Sequence, residues 1–347
     1  MGETTGIEWT EATWNPVVGC SIVSPGCHHC YAASMAKRLR AMALADTANG
    51  NNPGRKLHYV DAVDTDGRWT GKLNLVLEAL GDPLGWKRPR KVFVNSMSDL
   101  FHDGVPEEHI DRVFAVMALT CHTYQVLTKR PERMVAYYRS LSKRVHEWCP
   151  DAETEEYLIT ALHDMDDLEK RLQESCARWL NTYNARNRGW PLPNVMIGVS
   201  VEDQRRAEER RDAFLSVPAA IRFVSYEPAL GPVDWTGWES VDWIISGGES
   251  GQQARPSHPE WHRSTREFCQ KNEIAYFFKQ WGEWIEEDLR VDANGNDPWP
   301  HTWMSESGQE WNCFGPDRIR MRRVGKKAAG RMLDGREWSE FPVVPGE

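Results

Sequence analysis

The strongest constraint on the fold is a unit that recurs along the chain. A short β-branched or aromatic run turns polar at its end, and a helical stretch follows. Seven runs have this form: NPVVGC, KVFVNSMSD, TYQVLTKRP, NVMIGVSVED, IRFVSYEPALG, VDWIISGGESG and IAYFFKQWG. Strands that alternate with helices favour a parallel sheet covered by helices. The sequence therefore predicts an α/β fold, a TIM-like (β/α) barrel or partial barrel, in which GKLNLVL near Leu73 is a weaker eighth strand.

We predict one (β/α) barrel catalytic domain over residues 1–342. Within it, residues 43–70 are rich in Gly, Asn and Asp and are predicted to form a long loop. A helical insertion is predicted over 150–190, and a basic C-terminal extension over 312–347. The apolar residues of the insertion recur at helical spacing, at Leu158, Leu162, Met165, Leu168 and Leu172.

The polar ends of the predicted strands are the candidate site residues. In barrels of this kind the active site lies at the carboxyl ends of the strands. The candidates at those ends are Asn95, Ser96, Ser98, Asp99, Lys129, Ser200, Glu202, Glu227, Gly247, Gly248, Glu249 and Lys279. We expect the charged members of this set, Asp99, Lys129, Glu202, Glu227, Glu249 and Lys279, to converge on one cavity with Cys20. The alternative is that they are ordinary turn residues and helix caps.

Three of the eight cysteines form a tight cluster. Cys20, Cys27 and Cys30 are separated by six residues and then by two, and the others are scattered; Cys121 and Cys269 are expected in the core. A disulfide framework is not expected in a long chain without a secretory signal. Thiolates on a turn are typical of a metal site. The options are an iron–sulfur cluster, a zinc site closed by His28, His29 or a distant cysteine, and no metal.

An iron–sulfur cluster on three thiolates would leave one iron open. That iron can bind S-adenosylmethionine through its amino and carboxylate groups. An electron passed to the sulfonium then cleaves the C–S bond and releases a 5′-deoxyadenosyl radical.

The loop CSIVSPGCHHCYA resembles the cluster loop of the radical S-adenosylmethionine superfamily. It follows the first predicted strand, and Tyr31 comes directly after the third cysteine. The superfamily's usual spacing is three residues then two, so the first gap here is longer. Over residues 7–342 the chain is similar to a phage- and prophage-associated family of unknown function, the three-Cys-motif proteins. The shared phrases include KVFVNSMSDLFH, VLTKRPERM, IGVSVED, RFVSYEPALG, IISGGESG and FFKQWG.

The resemblance implies a [4Fe-4S] cluster on the three cysteines, S-adenosyl-L-methionine as cosubstrate, and an electron donor as partner. His29 stands where superfamily members touch adenine. The amino group would be held by the polar residues of NSMSD, or by GGE at Gly247–Glu249, which follows a later strand than in the superfamily. Lys129 and Lys279 would meet carboxylates or phosphates, and Ser200, Glu202 and Glu227 would face the cosubstrate. Catalytic roles are expected for Lys129, Glu227 and Lys279.

The charge distribution bears on the substrate. A net charge of −9 argues against a chain that coats nucleic acid without selection. The stretch DRIRMRRVGKKAAGRMLDGRE is nevertheless basic, and its candidate phosphate-binding residues are Arg320, Arg322, Arg323, Lys326 and Lys327. The alternative is a solvated face that offsets the acidic insertion.

Three functions are therefore open. The first is a radical enzyme that modifies or repairs a nucleobase, free or in DNA or RNA. The second is a radical enzyme on a peptide or small metabolite, and the third is a zinc or iron–sulfur accessory protein that binds nucleic acid. No stretch approaches the roughly 18 apolar residues of a membrane span, and no signal peptide is recognisable, so a cytoplasmic location without membrane partners is expected.

Overall fold

The computed structural model describes residues 5–164, 170–180, 189–287, 300–311, 315 and 317–344. Its strands are β1 (Ala12–Trp14), β2 (Val17–Val18), β3 (Asn74–Leu75), β4 (Lys91–Val94), β5 (Thr123–Thr128), β6 (Val195–Ser200), β7 (Ile221–Tyr226), β8 (Trp243–Gly247), β9 (Ala275–Gln280), β10 (Trp284–Glu286), β11 (His301–Ser305), β12 (Glu310–Trp311), β13 (Arg318–Arg323), β14 (Met332–Leu333) and β15 (Arg336–Glu337). Its α-helices are α1 (Tyr31–Ala48), α2 (Glu107–Leu119), α3 (Pro131–Trp148), α4 (Thr154–His163), α5 (Lys170–Leu180), α6 (Gln204–Ser216), α7 (Pro259–Lys271) and α8 (Lys326–Ala329).

A seven-stranded parallel sheet forms the centre of the fold, in the order β1-β4-β5-β6-β7-β8-β9. Six of its strands, β4 to β9, lie in the predicted runs. The prediction for the first strand was wrong, because the sheet uses Ala12–Trp14 instead of NPVVGC. Pro16, which lacks an N–H for pairing, follows β1. Val17–Val18 then pairs antiparallel with Asn74–Leu75, so GKLNLVL adds no eighth strand to the central sheet.

The central sheet is curled, and Trp9 shows how strongly. Its indole lies 4.8 Å from the ring of Phe93 on β4 and 6.2 Å from that of Trp243 on β8. In a flat sheet those two strands, four steps apart, would be about 19 Å from each other. One side chain that contacts both requires a curled sheet. The mixed α/β fold is thus compatible with the predicted partial barrel.

Residues that alternate along each strand pack into two separate cores. Val92 and Val94 belong to the larger core with the helices, whereas Phe93 belongs to a second core on the concave face. The concave core is mostly aromatic and contains Trp9, Phe93, Phe223, Trp243 and Phe277. Strand side chains alternate between faces, so the next inward positions after these rings reach the carboxyl ends of the strands.

The helices agree with the sequence patterns in most places. The stretches at Tyr31, Gln204 and Pro259 are helical, as predicted, and the helix predicted from Val105 begins at Glu107. The loop prediction for 43–70 was partly wrong, because α1 continues to Ala48 and a 3₁₀ helix covers Gly54–Tyr59. Cys269 is buried as expected, but Cys121 is exposed, because it lies after the end of α2.

The predicted insertion is helical where the structure describes it. Helices α4 and α5 place Leu158, Leu162 and Leu172 in the larger core, and α4 packs on α2. Met165 and Leu168, also predicted to be part of it, lie outside the described residues. Helix α3 was not predicted, although Met134, Tyr137, Leu141 and Val145 are buried at helical spacing.

An antiparallel sheet follows the central one, in the order β10-β13-β11-β12. The basic stretch supplies its strand β13, where only Met321 is fully buried. Trp284 of β10 donates its indole N–H to the carbonyl of Ala254 at 2.7 Å. This sheet therefore packs against the loop after β8. Among the described residues no helix is long and apolar enough to cross a membrane.

Candidate functional site

A cavity of about 210 Å³ opens at the carboxyl ends of the central strands. Most of the predicted site residues line it: Cys20, Cys27, His29, Cys30, Asn95, Ser96, Ser98, Asp99, Lys129, Ser200, Glu227, Gly248, Glu249 and Lys279. Glu202 and Gly247 are described but lie outside this lining. The polar strand ends and the cysteine loop, residues 20–30, therefore meet at one place.

Glu202 anchors the middle of the cysteine loop. Its side chain is fully buried, where it accepts a hydrogen bond from the Ser24 hydroxyl at 2.7 Å and from Arg210 at 2.8 Å. Lys129 forms a further ion pair with it. Burial alone would raise the pKa of Glu202, but the charges of Lys129 and Arg210 bring it to about 2. Glu202 is thus ionised and holds the loop three residues before Cys27.

Glu249 anchors the same loop through Arg255 and His29. The Glu249 carboxylate accepts two hydrogen bonds from the Arg255 guanidinium. Arg255 Nη2 lies 2.5 Å from Oε1, and Arg255 Nε lies 2.8 Å from Oε2. Burial would raise the pKa of Glu249, but these hydrogen bonds lower it below its ordinary value. Arg255 also donates to the carbonyl of Pro25 at 3.0 Å, and His29 Nδ1 lies 3.1 Å from Glu249. The loop after β8 therefore holds both ends of the turn that contains Cys27.

Asp99 anchors the start of the loop through Arg130. The buried carboxylate accepts from Arg130 Nη1 at 2.8 Å and from the Thr128 hydroxyl at 2.8 Å. The second nitrogen of Arg130 donates to the Ser21 hydroxyl at 2.9 Å, and His102 contacts that same hydroxyl at 2.8 Å. Ser21 follows Cys20 directly. Asp99, Glu202 and Glu249 thus act in this structure as anchors of the cysteine loop.

The hydroxyls of the NSMSD segment are also used within the protein. Ser96 donates to Asn15 at 3.1 Å, and Ser98 donates to the carbonyl of Val17 at 2.8 Å. The Tyr31 hydroxyl donates to the carbonyl of Ser96 at 3.1 Å. Asn95 differs, because its Nδ2 is buried and has no hydrogen-bond partner among the described residues.

Close packing explains the two glycines at the end of β8, Gly247 in the strand and Gly248 directly after it. A Cβ on Gly248 would lie 2.0 Å from the carbonyl oxygen of Trp281, and one on Gly247 would lie 2.8 Å from Glu227 Oε1. Only glycine allows the end of β9 to approach so closely. The GGE segment therefore packs the end of β8 closely against the end of β9.

Glu227 and Lys279 form an ion pair on the wall of the cavity. Lys279 Nζ lies 3.1 Å from Glu227 Oε1, and the two side chains are 17% and 12% exposed. The Ser225 hydroxyl donates to Glu227 Oε2 at 3.3 Å. Both charged groups line the cavity, so a ligand there would contact an acid and a base that already neutralise each other.

The three clustered cysteines are free thiols of intermediate exposure that line one cavity. Burial and the Asp99 carboxylate raise the pKa of Cys20 to about 12, and Cys30 and Cys27 add to this rise. Cys20 is therefore within electrostatic reach of the other two cysteines. Within the described ranges, however, no group of three or more His, Cys, Asp or Glu side chains is spaced to hold a metal ion. The fit to a cluster lies in the donor set and its anchored loop, and the sulfurs would have to converge on binding.

The floor of the cavity was missed by the sequence analysis. It contains Ile7, Trp9, Phe93 and Leu127, of which Trp9 and Phe93 also belong to the concave core. Gln280, at the end of β9, completes the lining on that side. The alternation of inward and outward positions along KVFV contained the signal, because Phe93 stands between the outward Val92 and Val94.

The basic stretch lies outside this lining, and most of its predicted nucleic-acid contacts have partners within the protein. Arg320 and Arg322 lie 3.3 Å and 3.2 Å from the carboxylate of Glu287. Arg323 donates to the carbonyls of Gly251 and Gln252 at 3.0 Å and 2.6 Å. Lys326 pairs with Glu8 at 3.2 Å, and Lys327 is exposed.

A family model described as "Protein of unknown function (DUF5131)" matches residues 4–342. No curated protein and no solved structure matches the chain.

Proposed function

The chain belongs to the DUF5131 family of proteins of unknown function, and we propose that it is a radical S-adenosylmethionine-type enzyme. Cys20, Cys27 and Cys30 would hold a [4Fe-4S] cluster, and the enzyme would modify or repair a nucleobase. When bound, the cluster supplies an open iron for the cosubstrate and an electron for cleavage of its sulfonium.

One observation carries this proposal. Three free thiols lie on an anchored loop that lines the same cavity as the polar ends of a curled parallel sheet. Three ligands in place of four favour a site that keeps one coordination position open. A structural zinc site would need a fourth ligand, and the candidate His29 faces Glu249 at 3.1 Å.

Residues around the cavity would position the cysteine loop and shield the site. Glu202, Glu249 and Asp99 hold the loop in place through Ser24, Arg255 and Arg130, so that the movement that brings the three sulfurs together is the main change left for cluster binding. The buried floor keeps water away from a reactive intermediate.

Lys279 and Glu227 are the proposed catalytic pair. Their charges on the cavity wall would orient a charged group of the cosubstrate or hold a proton at Lys279 Nζ. Lys129, which we also predicted as catalytic, would act indirectly in this structure because it pairs with Glu202.

The nucleobase as substrate is supported by the aromatic floor of the cavity and by the amide side chains of Asn95 and Gln280 in its lining. A peptide or a small metabolite remains the alternative substrate. The basic stretch gives less support than its sequence suggested, because Arg320 and Arg322 both pair with Glu287.

Anaerobic reconstitution with iron and sulfide tests the proposal. The protein should turn brown, and after reduction it should convert S-adenosylmethionine to 5′-deoxyadenosine. Replacing Cys20, Cys27 and Cys30 by Ala should abolish both the colour and the product. The matched control is Cys121→Ala with Cys149→Ala, two exposed free thiols outside the cavity lining. Product formation by the triple variant would overturn the proposal.

A further inference from the structure

Four aromatic residues besides His29 line the cavity, and two of them keep exposed surface. Trp9 and Phe93 are only 2% and 6% exposed and belong to its floor. Tyr31 is half-exposed, and its hydroxyl is held by a backbone carbonyl. Trp69 is partly exposed, and the proposed chemistry assigns it no role. Its indole is therefore a ring in the cavity lining whose function is open.

A short hairpin carries Trp69. Val63 and Trp69 form an antiparallel bridge, and the N–H of Asp64 donates to the carbonyl of Arg68 at 2.9 Å. The Asp64 carboxylate closes the turn, because its Oδ1 accepts from the N–H of Asp66 at 2.9 Å and from that of Arg68 at 2.8 Å. The hydrogen bonds of this turn fix the backbone directly before Trp69.

The hairpin is packed against α1. Val63 is 1% exposed and belongs to a small core that also contains Ala32 and Ala36 of that helix. Trp69 and Cys30 are partly buried residues that pack against the same core. The indole is therefore held by packing before any ligand binds. A side chain that is already ordered loses little freedom on binding, which favours affinity.

The lining suits a ligand that has a flat ring and a polar part. Apolar Ile7 and Val23 line the cavity together with Trp69, and so do the charged groups of Glu227 and Lys279. Ligand sites combine mostly apolar and aromatic walls with a few polar groups. A nucleoside has the matching composition, because its base is flat and its ribose carries hydroxyls. Bases of every kind stack on aromatic side chains.

We propose that Trp69 is the platform on which the base of a nucleoside ligand stacks in this cavity. The base is that of the substrate or the adenine of S-adenosylmethionine, and the two share a flat heteroaromatic ring on a ribose. The identity of the ligand rests on the proposed function. Stacking on Trp69 can be tested separately, because it requires no cluster.

The first test is calorimetric titration of the purified full-length protein, without iron, with two pairs of ligands. Uridine is paired with 5,6-dihydrouridine, whose saturated C5–C6 bond removes the aromatic ring but keeps the ribose, both carbonyls and the ring N–H. S-adenosylmethionine is paired with S-methylmethionine, which lacks the adenosyl group. Stacking of a base on an aromatic side chain changes affinity by about five- to 150-fold. In at least one pair, the ligand with the ring should bind at least about fivefold more tightly.

Variants of Trp69 assign that difference to the indole. Trp69→Leu should weaken binding of the ring-bearing ligand at least about fivefold and leave its comparator unchanged, whereas Trp69→Phe keeps a flat ring and should bind within about threefold of the parent. The control is Trp148→Leu, because Trp148 is 46% exposed and lies outside the lining. A loss for uridine assigns Trp69 to the substrate base, and a loss for S-adenosylmethionine assigns it to adenine. Parent-like binding of both by folded Trp69→Leu, or no binding of either by the parent, would overturn the proposal.

Tryptophan fluorescence tests the same contact if Trp69→Leu does not fold. The difference between the spectra of the parent and of Trp69→Phe isolates the emission of Trp69. A base stacked on the indole should quench this emission as the ligand saturates the site. Emission of Trp69 that stays unchanged at saturation would overturn the proposal.

The stacking role and the proposed function can fail independently. Nucleoside binding through Trp69 by a protein that assembles no cluster would support the stacking role and refute the radical enzyme. Parent-like production of 5′-deoxyadenosine by Trp69→Leu, with an unchanged KM for S-adenosylmethionine and unchanged uridine binding, would do the reverse.

Discussion

Replacing Glu202 by Gln tests whether a buried charge positions the cysteine loop. The substitution keeps the shape of the side chain but leaves Arg210, which is 5% exposed, and Lys129 without their anion. Removing one partner of a buried ion pair costs about 3–5 kcal/mol. The pKa gives a similar figure, since a fall from 4.5 to about 2 on folding corresponds to about 3 kcal/mol. We therefore expect the free energy of unfolding to fall by about 3 kcal/mol.

Two measurements on Glu202→Gln give independent results. Urea denaturation measures the free energy of unfolding, and mass spectrometry measures how fast a thiol reagent labels Cys27. Labelling should become several-fold faster, because Ser24, three residues before Cys27, no longer donates its hydroxyl to a carboxylate. Cys149, which is exposed, should react at the parent rate, and Glu209→Gln on the surface of α6 should change neither quantity. A variant within about 0.5 kcal/mol of the parent, with parent-like labelling, would refute the anchoring role.

Three further outcomes are expected. Part of the protein's stability should be lost as the pH falls from 4.5 to about 2, because the pKa of Glu202 is lowered on folding and its ionised form stabilises the folded state. In acid titrations followed by circular dichroism, Glu202→Gln should lack this component. An acid transition that is the same in parent and variant would contradict this prediction. Gly248→Ala should lower the free energy of unfolding in urea by about 3 kcal/mol, since its Cβ would lie 2.0 Å from the Trp281 carbonyl oxygen. Gly6→Ala is the control, because a Cβ there meets nothing within 4 Å. Equal stabilities of the two variants would show that the ends of β8 and β9 do not touch. Replacing Arg320, Arg322 and Arg323 together by Ala should lower the free energy of unfolding by about 1–3 kcal/mol, because contacts to Glu287, Gly251 and Gln252 are lost. Lys327→Ala is the exposed control. A salt dependence of DNA or RNA binding whose slope falls by about 0.9 per arginine would instead show that these arginines bind phosphates.

The parallel strands could be predicted because each leaves a local pattern. The run KVFVNS passes from apolar to polar within six residues, and β4 ends where the pattern changes. Since all strands of a parallel sheet end on one side, the shared cavity followed from the same argument. The place of Cys20 in it was predicted correctly even though the strand before it was not.

The roles of the carboxylates could not be predicted in this way. Ser24 and Glu202 are 178 positions apart, and no local pattern reveals that one anchors the other. The same holds for Arg255 and Pro25, separated by 230 positions. The sequence therefore presented Glu202 and Glu249 as ligand-binding groups, whereas the structure uses their charges within the protein.

The C-terminal sheet was missed for another reason. In RIRMRR, apolar Ile319 and Met321 alternate with arginines, which is a strand pattern. The positive charge of the stretch instead led to the prediction that it binds phosphates. Arg320 and Arg322 pair with Glu287, which precedes them by more than thirty residues.

Electron paramagnetic resonance of the reconstituted and reduced protein tests the central claim most directly. Spectra are compared with and without S-adenosylmethionine, in the parent and in the variant with Cys20, Cys27 and Cys30 replaced by Ala. A three-thiolate cluster with an open iron predicts a [4Fe-4S] signal that changes when S-adenosylmethionine is added and that the variant lacks. A protein that holds stoichiometric zinc without iron, or a cluster signal that S-adenosylmethionine leaves unchanged, would contradict the account.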